Sequence, residues 1–288
     1  MSYAPHQIVI GTLEVLLLLV GSWILARSLA IPELRAAVFQ RNRIPAWHLG
    51  GAEILGLGLA IFACGLLGQS ALAQLFGPAI ADSPDRAGLQ VVLYGFGFHG
   101  MALLGWPLFY YGRSRAYANF GSKPPSPVPT RRQGWRSVLW SGVVTLLFAL
   151  PAVALVSAGW TLIVRALGLP DAPQDLLAVF GAVKSPLVLV AMIVVATVLA
   201  PINEELLFRG VIFRFFRQRF GRLVAFAVSG VLFGLLHGNW AGFLPLAVLG
   251  VALAIAYEQS GDIRVPIVAH GLFNLNTTVF LLAGLPAS

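Results

Sequence analysis

Charge is scarce in this 288-residue chain. Only 10% of its residues are Asp, Glu, Lys or Arg, against about 25% in a soluble domain. That excludes an ordinary water-soluble globular protein. Cysteine is nearly absent: Cys64 is the single one. It can form no internal disulfide and offers no metal cluster, so it reads as a small packing residue in an apolar run. Short segments of alternating polarity are missing, which excludes a membrane β-barrel. The chain has no His-Glu-x-x-His motif and no internal repeat of the kind many transporters carry. Acids are few as well, 11 against 19 Lys and Arg, for a net charge of +8. The basic excess lies in loops between apolar runs. That is the pattern of topology signals, and it points to no nucleic acid as partner.

What remains is apolar: 58% of residues are hydrophobic and the mean hydropathy is +0.84. A membrane helix needs about 20 apolar residues. Eight runs approach or exceed that length, at 8–29, 49–76, 89–111, 137–167, 186–216, 223–238, 243–258 and 265–282. The fold expected is all-α, a polytopic membrane helical bundle of about eight transmembrane helices. The first run has no basic region before it and is too long for a signal-peptide core, so it reads as a retained helix. Three regions follow: an N-terminal three-helix membrane region at 1–112, a basic, Pro-rich cytoplasmic linker at 113–136, and a core at 137–288. Most basic residues follow the first, third and fifth runs, with Arg264 after the seventh. The positive-inside rule places those loops in the cytoplasm, with both termini outside, most simply in a cell (inner) membrane.

Against this background the stretch Asn203-Glu-Glu-Leu-Leu-Phe-Arg209 is costly. Charges at membrane depth cost several kcal/mol each unless paired or wetted. Helix neighbours point about 100° apart, so Glu204 and Glu205 cannot do the same job. Glu205 and Arg209 are four apart and form a natural ion pair. Glu204 has Phe208 at that spacing, and a carboxylate in apolar company suits general-base work.

His237 ends the sixth run, in Phe233-Gly-Leu-Leu-His237. Glu204 lies 16 residues before Phe220, and His237 lies 16 after Gly221. A tight turn at Phe220-Gly221 therefore brings the two to one depth, each about 24 Å along its helix. Phe233, four before His237, can hold its ring by packing. His270 and Asn274 are also four apart, on one face of the eighth run. Together these residues suit peptide-bond hydrolysis by an activated water. Glu204 with His237 would deprotonate the water, and His270 with Asn274 would donate to the oxyanion. No cofactor is required, and no residue is assigned to metal, although a Glu/His/His set could also take zinc.

Glu204-Glu205-x-x-x-Arg209, Phe233-x-x-x-His237 and His270-x-x-x-Asn274, in that order on successive apolar runs, resemble the CAAX protease and bacteriocin-processing family of intramembrane endopeptidases. The run Tyr257-Glu-Gln-Ser-Gly-Asp-Ile is also similar to that family's stretch between its last two motifs. The resemblance covers 137–282. It implies hydrolysis near the C-terminus of a membrane-associated protein or peptide, with Glu204 and His237 at the water and His270 and Asn274 at the oxyanion. Family members are often labelled metalloproteases, a point the motif residues do not decide. Two other classes compete: a catalytically inactive scaffold or immunity-type protein, and a proton-coupled transporter.

Other polar residues read more plainly. Glu14 and Glu53 are intramembrane acids, candidates to line a substrate path. His99 reads as a helix-packing group, and His6 and His48 as terminal or loop residues. Asn276-Thr-Thr matches a glycosylation sequon but lies inside the eighth run.

Overall fold

The computed structural model describes residues 3–39, 42–44, 49–119, 133–171 and 175–285. Ten helices make up this part of the chain. They are α1 (Pro5–Ala30), α2 (Pro32–Phe39), α3 (Gly51–Ile80), α4 (Arg86–Asn119), α5 (Trp135–Ala166), α6 (Asp175–Ala182), α7 (Pro186–Arg219), α8 (Arg222–Leu236), α9 (Trp240–Ser260) and α10 (Arg264–Leu282). Seven are long and apolar enough to cross a membrane. The sixth expected span, 223–238, is the exception: α8 is a helix of only 15 residues. The protein is a polytopic helical membrane bundle.

Three differences from the sequence reading have physical causes. Helix α4 does not stop at residue 111 but runs on to Asn119, taking the first part of the expected linker with it. Arg113 sits on this extension and pairs with Glu53 Oε1 at 2.6 Å. Glu53 Oε2 also accepts the Gly50 N–H at 2.7 Å, at the start of α3. Glu53 is thus a cap and ion-pair partner for the α3–α4 hairpin. At the other end of the expected linker Trp135 and Arg136 belong to α5, while 120–132, with Lys123, Arg131 and Arg132, lies outside the described residues, as do Arg41 and His48. Helices α2 and α6, each of eight residues, are too short to stand out by hydropathy.

Helix α9 is the centre of the bundle, with more than half of its residues buried. Small residues make this possible: Ala247, Gly250, Ala252, Ala254 and Ala256 let neighbouring backbones come close. A Cβ on Gly230 would lie 2.7 Å from the Ala247 carbonyl, and one on Gly234 2.4 Å from that of Phe243, so α8 packs directly on the α9 backbone. The main core joins Ala149 and Val153 of α5, Phe208 of α7, Phe233 of α8, Leu249 and Leu253 of α9, and Ala269 of α10. By contrast α1 exposes Leu13, Leu16, Leu19 and Trp23, an apolar surface that suits lipid.

The turn between α7 and α8 is tight because Gly221 takes φ 84°, a conformation glycine adopts at little cost. Glu258, fully buried at the end of α9, then receives Arg217 at 2.7 Å and Arg222 at 2.6 Å, one from each side of that turn.

Candidate active site

Both carboxylates of the Glu pair lie midway along α7. That helix is regular at Pro186–Val194, Ala200–Leu207 and Arg214–Arg219, and wider, with π-type turns, at Val195–Leu199 and Phe208–Phe213. Such bulges recur at functional sites. The first has a visible cause. Pro201 lacks an N–H and its ring crowds the carbonyl four residues back, which is that of Thr197. The Ala200 N–H reaches Val195 instead. The carbonyls of Ala196 and Thr197 are thereby left without their usual helical donors. The Asn274 amide of α10 donates to Ala196 O at 2.8 Å. Gly271 lets α10 approach Thr197, whose oxygen would lie 2.4 Å from a Cβ there.

The two carboxylates face different surroundings. Glu205 and Arg209 are both fully buried, and Arg209 donates to Glu205 Oε1 at 2.7 Å. The guanidinium also donates to the Gly250 carbonyl of α9 at 2.8 Å and lies 4.8 Å from the Phe233 ring centroid. His270 Nδ1 reaches the same Glu205 oxygen at 2.9 Å. Because that carboxylate is held by Arg209, the ring nitrogen is the donor. Glu204 points elsewhere and keeps 26% of its side chain exposed. Its Oε2 has no hydrogen-bond partner and stands 3.9 Å from Nε2 of both His237 and His270.

His237 follows the last residue of α8. Its Nδ1 is 2.7 Å from the Phe233 carbonyl, which can only accept, so Nδ1 carries the hydrogen. The Phe233 ring lies 4.8 Å from the His237 ring, 5.4 Å from His270 and 5.1 Å from Phe208. Phe233 thus packs against both imidazoles as well as Arg209. The structure brings Glu204, His237 and His270 together around one point, and it forms the Glu205–Arg209 pair. Asn274 lies one turn beyond His270 with one amide hydrogen committed to Ala196.

Zinc is a poor match to these distances. Tetrahedral zinc at 2.0–2.1 Å from its ligands would set donor atoms about 3.4 Å apart, whereas both edges from Glu204 are 3.9 Å. Among the described residues no three His, Cys, Asp or Glu form a metal-binding group.

Several contributors were not anticipated from the sequence. The Gly250 and Ala196 carbonyls are backbone atoms without a residue-type signal, although Pro201 marks a place where α7 cannot keep an unbroken α-helical hydrogen-bond ladder. Asn203, next to Glu204, donates to the His99 carbonyl of α4 at 3.0 Å. The His99 ring has a buried Nδ1 with no hydrogen-bond partner. The N-terminal region therefore abuts the Glu204 turn directly.

Fold and geometry define a class: a polytopic helical membrane protein with a carboxylate–diimidazole cluster inside the bundle. Residues 186–276 match the model of a family described as Type II CAAX prenyl endopeptidase Rce1-like. The matched segment contains all three motifs, and the family is the one they resemble. Similar curated proteins include "Putative membrane peptidase YdiL" of Bacillus subtilis (strain 168), 32% identical over 91 residues, or 32% of this chain and 37% of that protein. An "Uncharacterized 24.3 kDa protein" of Escherichia coli is 32% identical over 124 residues, 41% of this chain and 56% of its own. "UPF0177 protein YbdI" of Lactococcus lactis subsp. lactis (strain IL1403) is 34% identical over 91 residues, 30% and 47% of the two chains. The matches thus span between 37% and 56% of these relatives' lengths. No solved structure matches.

Proposed function

We propose that this protein is an intramembrane endopeptidase that hydrolyses a peptide bond by an activated water, with Glu204 as the base. One observation carries the reading: Glu204 Oε2 is equidistant from two imidazole nitrogens, and both rings are held from behind through Nδ1. A water about 2.8 Å from each of these atoms would fit between them. It would donate one hydrogen bond to Glu204 and one to His237 Nε2. As its oxygen attacks the carbonyl carbon, this pair takes the proton and later returns it to the leaving amine. The oxyanion accepts from Nε2–H of His270 and from the uncommitted N–H of Asn274. With Nδ1–H given to Glu205, His270 donates from Nε2 only in the doubly protonated ring. That positive charge then lies beside the Glu205 carboxylate. Glu205, Arg209 and Phe233 act as positioning residues.

The mechanism needs no metal, and activity is expected to persist in chelator. The substrate would be a membrane-associated protein or peptide cut near its C-terminus. The Arg-rich ends of α7 and α8 would face the cytoplasm, with both termini outside, in the cell membrane. The test compares membrane-derived peptides from cells carrying the wild-type protein or Glu204→Gln. Specific C-terminal fragments should appear only with the wild type. Identical peptide sets from the two strains would remove the proteolytic reading.

A further inference from the structure

Only two residues of α1 are buried, Gly21 and Glu14. Gly21 packs on α5, where a Cβ would lie 2.2 Å from the Leu147 carbonyl. Glu14 lies two turns before it, on the same face, and looks into a cavity between α1, α5 and α10. Most of the residues lining it are apolar, Leu150, Phe273 and Phe280 among them. Among the described residues, Glu14, Asn276 and Thr277 are the only polar side chains that line it. The cavity is wide enough for a water-sized guest.

The polar atoms are unbalanced. Asn276 donates one amide hydrogen to Glu14 Oε1 at a long 3.4 Å. The Thr277 hydroxyl spends its hydrogen on the Phe273 carbonyl at 3.1 Å, leaving lone pairs. Glu14 is 7% exposed, and its Oε2 has no hydrogen-bond partner. Acceptors therefore outnumber donors, and no Lys, Arg or His among the described residues lines the cavity. A carboxylate at membrane depth is costly unless it is matched by positive charge. The register is also fixed. Gln7 donates to the Ala283 carbonyl at 3.0 Å, and Glu14 meets Asn276 two turns further along both helices, which run antiparallel here.

We propose that the Glu14–Asn276–Thr277 cavity binds a small monovalent metal cation, sodium in the first instance. The ligands are hard oxygens, which suit such ions, and one carboxylate balances one positive charge. The bound ion would fasten α1 to α10, the helix that carries His270 and Asn274. The inference does not depend on the proteolytic reading.

The test uses the full-length protein in detergent, first in choline chloride and then in sodium chloride at equal ionic strength. Titration calorimetry should give a saturable sodium-binding heat, and thermal unfolding should shift upward by several degrees in sodium. Glu14→Gln should remove both effects. Thr277→Val should weaken sodium binding several-fold while its midpoint in choline stays near that of the wild type. Should Glu14→Gln fail to fold, the wild type and Thr277→Val decide. Absence of sodium heat with equal midpoints in the two salts would overturn the proposal. A sodium shift equally large in Glu14→Gln would overturn it too.

Discussion

The Glu205 carboxylate accepts from Arg209 and His270 at once, in a place where neither it nor Arg209 is exposed. Removing one partner of such a buried pair costs about 3–5 kcal/mol, because the other charge is left uncompensated. Glu205→Gln is therefore expected to lower the unfolding midpoint in detergent markedly. Glu204→Gln, at a partly exposed carboxylate without a hydrogen-bond partner, should leave the midpoint near the wild-type value and abolish cleavage at every pH. Two equal midpoints would sink the assigned difference between these neighbours. That division was legible in the sequence, since Glu205 has Arg209 four residues on and Glu204 has Phe208. The hydrogen bond between His270 and Glu205 was not legible, because it joins helices far apart in the chain through a single nitrogen. The backbone partners of Arg209 and Asn274 carry no side-chain signature at all.

At the level of elements, Pro201 sets the geometry of α7. Pro201→Ala restores an N–H that can reach the Thr197 carbonyl, and the bulge at Val195–Leu199 would relax toward an α-helix. The following turn, with both carboxylates, would then rotate relative to α10, and Asn274 would lose its acceptor. The expected outcome is a loss of cleavage of at least about tenfold, with stability unchanged or raised because proline is disfavoured inside helices by about 3 kcal/mol. Full activity would show that the bulge does not position the site. The long spans were read from hydropathy with ends within a few residues, apart from the extension of α4. The π turns were not read, because a proline in an apolar run can equally kink or break a helix. Here the carbonyl freed beside Pro201 is taken up by the Asn274 amide of α10, which Gly271 lets come close.

Across the whole molecule, Asp262 ties the α9–α10 junction to the segment before α5. It accepts from the Gln133 N–H at 3.1 Å and from Arg264 at 2.7 Å. Burial works to raise its pKa, but the Arg264 side chain and the backbone N–H groups of Gln133 and Arg264 outweigh it and hold the carboxyl below its ordinary value. A depressed folded-state pKa stabilises the protein above the unfolded pKa of about 3.9 and ceases to do so as pH falls through the folded value. Asp262→Asn should therefore unfold earlier than the wild type at neutral pH, and the gap should close in acid. A gap that is constant with pH would assign the effect to packing instead. From the sequence the loop charges near this junction give only an expectation of which side it faces, and the link from residue 262 back to residue 133 needed the fold.

Helix α8, with its 15 residues, measures about 22 Å at 1.5 Å per residue, against a hydrocarbon layer of about 30 Å. As a span, so short a helix would be matched by a thinned bilayer. The thinning would fall where α8 stops, beside His237, and would bring headgroups and their water toward the partly exposed Glu204 carboxylate. Lipid thickness would then become a determinant of turnover. Cleavage in short-chain phosphatidylcholine should exceed that in long-chain phosphatidylcholine, and equal rates in the two would show that water reaches the site by another route.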